Sequence, residues 1–248
     1  MHDQQLNTAN IKNLSRLWQQ MGARSCTLDG MDKFQISDSW PNRCWFEAGF
    51  TVDEITTIGR SIHLMADKLI IPVWEMESTS KKLFESMLKN NGFTIISEQT
   101  AMYLDLNKHP IMPQYELDII RIEAEQDINI WTNIASKSFQ YEIDISIPKK
   151  IVVQPDVQLY MAYINNKPVA TAMIFDTDDV TGVHQMGVLP EYRGHGVASK
   201  LMHNIINLCT QKSSRYITLQ ASTAGEYLYH KLGFKRQFKI LNYQKFNR

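Results

Sequence analysis

Apolar residues recur at two periods along this chain, and the change from one to the other marks out its elements. Val197, Leu201, Ile205 and Leu208 recur at helical spacing, with Ala198, Met202 and Cys209 beside them, and predict a helix beginning at Val197. Glu125 to Phe139 places Ile128, Trp131, Ile134 and Ala135 on one face and predicts another helix. Between them, VQLYMAYI and VATAMIF are short apolar runs joined by Asn165-Asn166-Lys167-Pro168, the pattern of a hairpin. TGVHQMGVL predicts a third strand, Tyr216 to Gln220 a fourth, Gly225 to Leu232 a short helix closed by Gly233, and Phe238 to Phe246 a final strand. Tyr115 to Ile122 supplies the opening strand. The order strand, helix, hairpin, strand, helix, strand, helix, strand is that of a mixed α/β (α+β) sheet with helices packed against it.

The first part of the chain is patterned more weakly. Ile11 to Met21, Ile55 to Ala66 and Lys81 to Asn90 predict helices, Leu69 to Trp74 predicts a strand, and a further strand runs from Gly92-Phe93 through Leu104. The seam NKHPIMPQYELD, Asn107 to Asp118, sets Pro110 and Pro113 in polar surroundings and reads as a linker. It divides the chain into a first domain over 1–108, a linker over 109–117 and a second domain over 118–248. The two parts end alike: LKNNGFTIISEQTAMYLDL and YHKLGFKRQFKILNYQKF both run helix, Gly-Phe, then an aromatic-bearing strand. This is either an internal repeat or common punctuation, since glycine ends helices cheaply.

Composition narrows the function classes. A 248-residue chain with 44% hydrophobic residues and a formal net charge of zero is an ordinary soluble composition. It gives no sign of a nucleic-acid partner. No apolar run is long enough to span a bilayer, so no membrane partner is expected. The polar start MHDQQLNTANIKNL lacks a signal-peptide core, which makes a cytoplasmic location the expectation. Cys26, Cys44 and Cys209 are odd in number and show no metal spacing, so reduced thiols and no metal site are expected.

The stretch MGVLPEYRGHGVASKLM, Met186 to Met202, carries the candidate chemistry. Gly194 and Gly196 let the backbone bend sharply and leave no side chain over its amides. The turn feeds the start of a helix, whose first amides lack intrahelical partners and carry the positive end of the dipole. Such an entry accepts phosphate or pyrophosphate. A dinucleotide fold wants a third glycine where Ser199 stands, and wants the turn early in its domain. A P-loop wants Gly-Lys-Ser or Gly-Lys-Thr, which is absent. A coenzyme A cradle is the third reading.

At this point the residues resemble a known family. Arg193-Gly-His-Gly-Val-Ala198 is similar to the Arg/Gln-x-x-Gly-x-Gly/Ala signature of the GNAT superfamily, the acyl-CoA N-acyltransferases. Val188 to Gly196 resembles that family's strand-to-loop passage. LQAS at 219–222 and YHKLGF at 229–234 resemble its fifth strand and the Tyr-x-x-Leu-Gly-Phe ending of the following helix. The resemblance covers the chain from about Asp118 onward, and on the Gly-Phe echo the first half looks like a smaller, degenerate GNAT-like repeat that lost its coenzyme site.

The resemblance implies acetyl-CoA as co-substrate. The cradle amides around Arg193, Gly194, His195, Gly196, Val197 and Ala198 would hold pyrophosphate, and the strand edge Met186-Gly187-Val188 would pair with pantetheine as an added strand. Tyr229 matches the family's general-acid tyrosine, which would protonate the departing thiolate; the alternative is a packing tyrosine. Alternation puts Gly182, His184, Met186 and Val188 on one face, where His184 is the titratable group; it is either the base or a pocket-lining residue, with ordered water as the other base. Ser222 would bond coenzyme A or cap the next helix. Arg193 would hold phosphate or pair with Glu191, His195 would face solvent, and Cys209 belongs to the core. The aromatic segment WPNRCWFEAGF, Trp40 to Phe50, lines an acceptor pocket or packs a small core.

The expected function is therefore transfer of an acetyl group to a primary amine, on a small molecule or a peptide, by direct attack. A non-catalytic acyl-CoA-binding regulator is the alternative, and O-acylation or a longer acyl group stays open. The first half would wall the acceptor pocket or form a homodimer contact.

Overall fold

A computed structural model of the chain describes residues 3–28, 31–37, 39–46, 51–62, 68–75, 79–109, 115–212 and 214–245. The chain forms two compact units, each assembled from separated segments: Met1–Leu17 with Met102–Gln237, and Trp18–Ala101 with Phe238–Arg248. The units do not follow the division drawn at 109–117, of which 110–114 lie outside the described residues. The reason is long-range pairing: the start and middle of the chain find partners on strands far along it, which no local pattern records.

Helix α1 (Asp3–Gln20) opens the chain. The second unit follows it with strands β1 (Arg24–Leu28), β2 (Met31–Ile36) and β3 (Cys44–Phe46), a small antiparallel sheet in that order. The sequence pattern missed these strands. Helix α2 (Val52–Ser61) starts at a reciprocal cap: Thr51 Oγ1 accepts from Glu54 N, and Glu54 Oε2 accepts from Thr51 N. Strand β4 (Ile70–Trp74), helix α3 (Thr79–Asn90) and strand β5 (Phe93–Asp105) complete this part, with β5 entering the first unit at Met102. The core here is Phe34, Phe46, Ile58, Ile62, Ile71, Phe84, Leu88 and Tyr243. Trp18 packs on Trp45 and Trp74, and Trp40 is buried, so this part of the aromatic segment is core; residues 47–50 lie outside the described residues.

The first unit holds β6 (Asp118–Ile122), α4 (Glu125–Phe139), α5 (Ser146–Ile151), β7 (Val157–Ile164), β8 (Lys167–Thr177), β9 (Val180–Val188), α6 (Val197–Thr210), β10 (Tyr216–Ser222), α7 (Glu226–Lys231) and the start of β11 (Lys235–Lys245). Its strand order is β10-β9-β8-β7-β6, with the end of β5 beside β10. Neighbours from β6 to β9 are antiparallel, whereas β9 and β10 are parallel, the mixed α/β sheet expected. The β7–β8 turn is tighter than the four-residue turn expected. Ile164 pairs with Lys167, leaving a two-residue loop with Asn165 and Asn166 at φ 49° and 61°. Both signs match a type I′ hairpin, whose twist suits the flanking strands.

Helix α6 buries Leu201, Met202, Ile205, Ile206 and Cys209 against Ala170, Ala172, Ile174 and Val183 of the sheet. Cys209 is therefore core, and burial pushes its thiol up to about 12. Helix α4 ties itself to the sheet through the buried Trp131, whose Nε1 donates to Ala172 O at 3.2 Å.

Candidate functional site

Strands β9 and β10 begin as neighbours and then part. Their parallel register covers Tyr216↔Val180, Ile217↔Thr181 and Thr218↔Gly182. Beyond this, β9 runs on to Val188 while still paired with β8, and β10 runs on to Ser222. The side of β9 that faced β10 is left without its ladder from Val183 onward. An open strand edge of this kind accepts an extended ligand as it would another strand.

The end of β9 leads through Pro190 to the glycine turn. Gly194 and Gly196 have φ 80° and 76°, and a Cβ built on either meets nothing within 4 Å. Both therefore need glycine for conformation rather than for room. The first backbone bond that closes the helix is Lys200 N to Gly196 O at 3.0 Å. Among the described residues, the amides of Gly194 to Ser199 have no backbone acceptor. The turn thus presents a row of free N–H groups at the positive end of a 14-residue helix, the chemistry of a phosphate site.

Arg193 does not reach into this turn as expected. Its Nε donates to Val188 O at 3.1 Å and its Nη2 to Ser138 O at 2.6 Å. Ser138 lies in the last turn of α4, where carbonyls lack helical partners. The guanidinium therefore straps the end of β9 to α4 and fixes the ramp into the turn. His195 is exposed, as its place in the cradle suggested. Ser222 acts as a turn residue: its Oγ accepts from Gly225 N at 3.2 Å ahead of α7.

The strict alternation assumed for β9 fails at Gln185. Register passes from Thr171↔Gly187 to Met173↔His184, so β9 carries one extra residue opposite Ala172. This is a β-bulge, and Gln185 sits in it at φ 47°, unusual for a residue with a side chain. Thr171 Oγ1 donates to Gln185 O, and Tyr141 Oη to Gln185 Oε1, both at 3.0 Å. The phase flips across the bulge: Val183 and Val188, five apart, share one core. His184 therefore does not share a face with Met186 and Val188. Gly187 lets α4 approach, since a Cβ there would lie 2.7 Å from Ser138 Cβ. Such bulges cluster where a backbone must be re-aimed.

His184 is buried among amides that the sequence did not single out. Asn13 of α1 donates from Nδ2 to Phe175 O at 3.0 Å and to Thr177 Oγ1 at 2.9 Å. That orientation leaves Asn13 Oδ1 facing His184 Nε2 at 3.0 Å, so Nε2–H is the donor. Gly182 makes the approach possible, because a Cβ there would fall 1.9 Å from Asn13 Oδ1. Burial lowers the pKa of His184 to about 4, against a smaller opposing effect from its hydrogen bond with Gln220. The ring is neutral at pH 7, yet so weak a base that it does not fit the role of proton acceptor for an ammonium near 10.4.

The same shift couples to stability. The unfolded chain protonates this imidazole near 6.5 and the folded chain only near 4. Its contribution is therefore complete above about pH 6.5 and is lost as pH falls toward 4, by roughly 3 kcal/mol. Denaturant unfolding of the wild type and His184→Gln across this range checks it. The wild type should lose stability more steeply than the variant, and equal slopes would refute the assignment.

Tyr229 is buried, with its ring edge-to-face on Phe234 at 5.7 Å and its Cε2 3.3 Å from where a Cβ on Gly225 would stand. Burial raises its phenol well above 10, so it holds its proton at every ordinary pH. No group of three or more His, Cys, Asp or Glu among the described residues could hold a metal. No helix among them is long and apolar enough to cross a membrane.

The amino-acid sequence over residues 148–236 matches the acetyltransferase (GNAT) domain family. No curated protein matches the chain. Solved structures share its fold at low identity. A GCN5-related N-acetyltransferase from Kribbella flavida superposes with a TM-score of 0.71 at 15% identity, covering 98% of this chain and 95% of its own. A functionally unknown conserved protein from Staphylococcus epidermidis gives 0.63 at 16% identity, covering 92% and 96%. A tandem GNAT protein from the clavulanic acid biosynthesis pathway gives 0.58 at 11% identity, covering 88% and 80%. The likeness in fold extends through the first half of the chain.

Proposed function

We propose, from the match of residues 148–236 to the acetyltransferase (GNAT) domain family, that the protein transfers an acetyl group from acetyl-CoA to a primary amine by direct attack on the thioester. The observation that carries this reading is the row of unpartnered amides over Gly194 to Ser199, set at the end of a strand whose next edge is open. The amides suit the pyrophosphate and the β9 edge suits the pantetheine amides. Acetyl-CoA supplies the thioester; the protein supplies position and hydrogen-bond donors.

Two protons have to move. The attacking ammonium must lose one, and on the order of one amine in a few thousand is already neutral at pH 7 when its pKa is about 10.4. We assign this step to solvent rather than to His184, whose Nε2–H is committed to Asn13. The thiolate must gain one, and we assign Tyr229 as the donor, a buried phenol that stays protonated. The acceptor is a small-molecule or peptide amine.

Calorimetric titration with acetyl-CoA, followed by thiol release in the presence of an amine library, tests the proposal. Saturable binding and thiol release that requires an amine are expected. Binding without amine-dependent release would favour a non-catalytic acyl-CoA sensor, and absence of binding by folded protein would remove the coenzyme reading.

A further inference from the structure

Helix α1 carries Asn7, Asn10 and Asn13 one turn apart, and Asn10 and Asn13 are fully buried. Asn13 holds His184, as described. Asn10 holds the opposite strand: Gln220 Nε2 donates to Asn10 Oδ1 at 2.7 Å, while Asn10 Nδ2 donates to Met102 O at 3.3 Å and to Gln237 Oε1 at 2.5 Å. Gln237 Nε2 in turn donates to Asn7 Oδ1 at 2.9 Å. His184 and Gln220 each lie two residues beyond the last β9–β10 pair, Thr218↔Gly182, and their side chains are hydrogen-bonded to each other. They meet across the opening just where it starts, before the bulge changes the phase of β9.

From this geometry we infer that Asn10, Asn13, His184 and Gln220 form a polar stop at the closed end of the β9–β10 opening, which limits the acyl group to two or three carbons. The inference rests on the proposed acyl-CoA reading. A ligand anchored by its phosphates at the glycine turn and lying along β9 points its acyl end toward residues 183–184. There it meets side chains whose hydrogen bonds are already made, on a helix with no room left over Gly182. A longer aliphatic chain would have to displace buried amides and leave them unpaired, which is costly, whereas an apolar lining would yield by repacking. This assigns α1, nearly two hundred residues from the glycine turn in sequence, to the specificity of the site.

The test is calorimetric titration of the whole chain with acetyl-, butyryl- and hexanoyl-CoA. The wild type should bind hexanoyl-CoA about tenfold or more weakly than acetyl-CoA. His184→Ala, which removes the ring from the stop, should recover hexanoyl-CoA affinity by about the same factor while acetyl-CoA affinity changes little. Gln220→Ala, on a side chain only half-buried, serves as the second variant if His184→Ala does not fold, judged by circular dichroism and melting. Equal wild-type affinity for all three ligands would overturn the stop and leave the function standing. So would variants that weaken all three ligands alike, because a purely structural role predicts that. A folded wild type that binds none of them would overturn the function itself, and the stop with it.

Discussion

Gly196→Glu is expected to weaken acetyl-CoA binding at least about a hundredfold in a calorimetric titration while the variant stays folded. Two effects separate cleanly at this position. The backbone there has φ 76°, so any side chain adds strain of about 1–2 kcal/mol. The space above it is open, so nothing clashes and the fold tolerates that loss. The charge acts on the ligand instead. A carboxylate about 4 Å from a phosphate, at an effective dielectric near 20, opposes binding by about 4 kcal/mol, or between a hundredfold and a thousandfold in affinity. Gly196→Ala carries the strain without the charge and should keep most of the affinity. Retained binding in the glutamate variant would show that the ligand's phosphates lie elsewhere.

Tyr229→Phe is expected to lower turnover by about a hundredfold or more and to leave acetyl-CoA affinity near that of the wild type. The phenol is buried and its pKa is raised, while a free thiol titrates near 8.5. Full proton transfer from this phenol to a thiolate is uphill in the empty site. The contribution proposed for it is thus a hydrogen bond made in full only as charge develops on sulfur. Turnover should fall without a matching loss of binding, and the wild-type rate should show no alkaline limb below about pH 10. Equal losses in affinity and turnover would mark Tyr229 as packing only.

The parts of the fold that could be read from the sequence are those whose pattern is local. Glu125–Phe139 and the VQLYMAYI strand are observed with the bounds expected, because one face of each is uniformly apolar. The glycine turn was legible because φ above zero leaves a mark in residue type. The bulge left no mark: Gln185 occupies a left-handed conformation without being glycine, and Gln-Met-Gly fits an ordinary strand. The asparagine row was hidden for the opposite reason. Polar residues one turn apart on a helix read as its solvent face, so α1 was expected only from Ile11, although it begins at Asp3 and Asn10 and Asn13 face inward. The part Arg193 plays in the fold left no mark, because its motif position suggested a phosphate or Glu191 as partner, while its side chain bonds to carbonyls of β9 and α4. The strands β1 to β3 are short and interrupted by polar residues, and they declare themselves only by pairing.

The interleaving of the two units also bears on how the chain is made. The first unit draws on residues 1–17 and on residues up to Gln237, and the second draws on Trp18–Ala101 and on Phe238–Arg248. The buried asparagines of α1 complete their hydrogen bonds only once β8 to β11 have been synthesised, the Met102 carbonyl of β5 being the one partner that comes earlier. Strand β4 waits equally for Ile240–Gln244. The sheet of the first unit cannot form in full until β10 has been made, and the core of the second lacks Tyr243 until β11 has been made. Contacts of such large sequence separation fold slowly and leave intermediates open to aggregation.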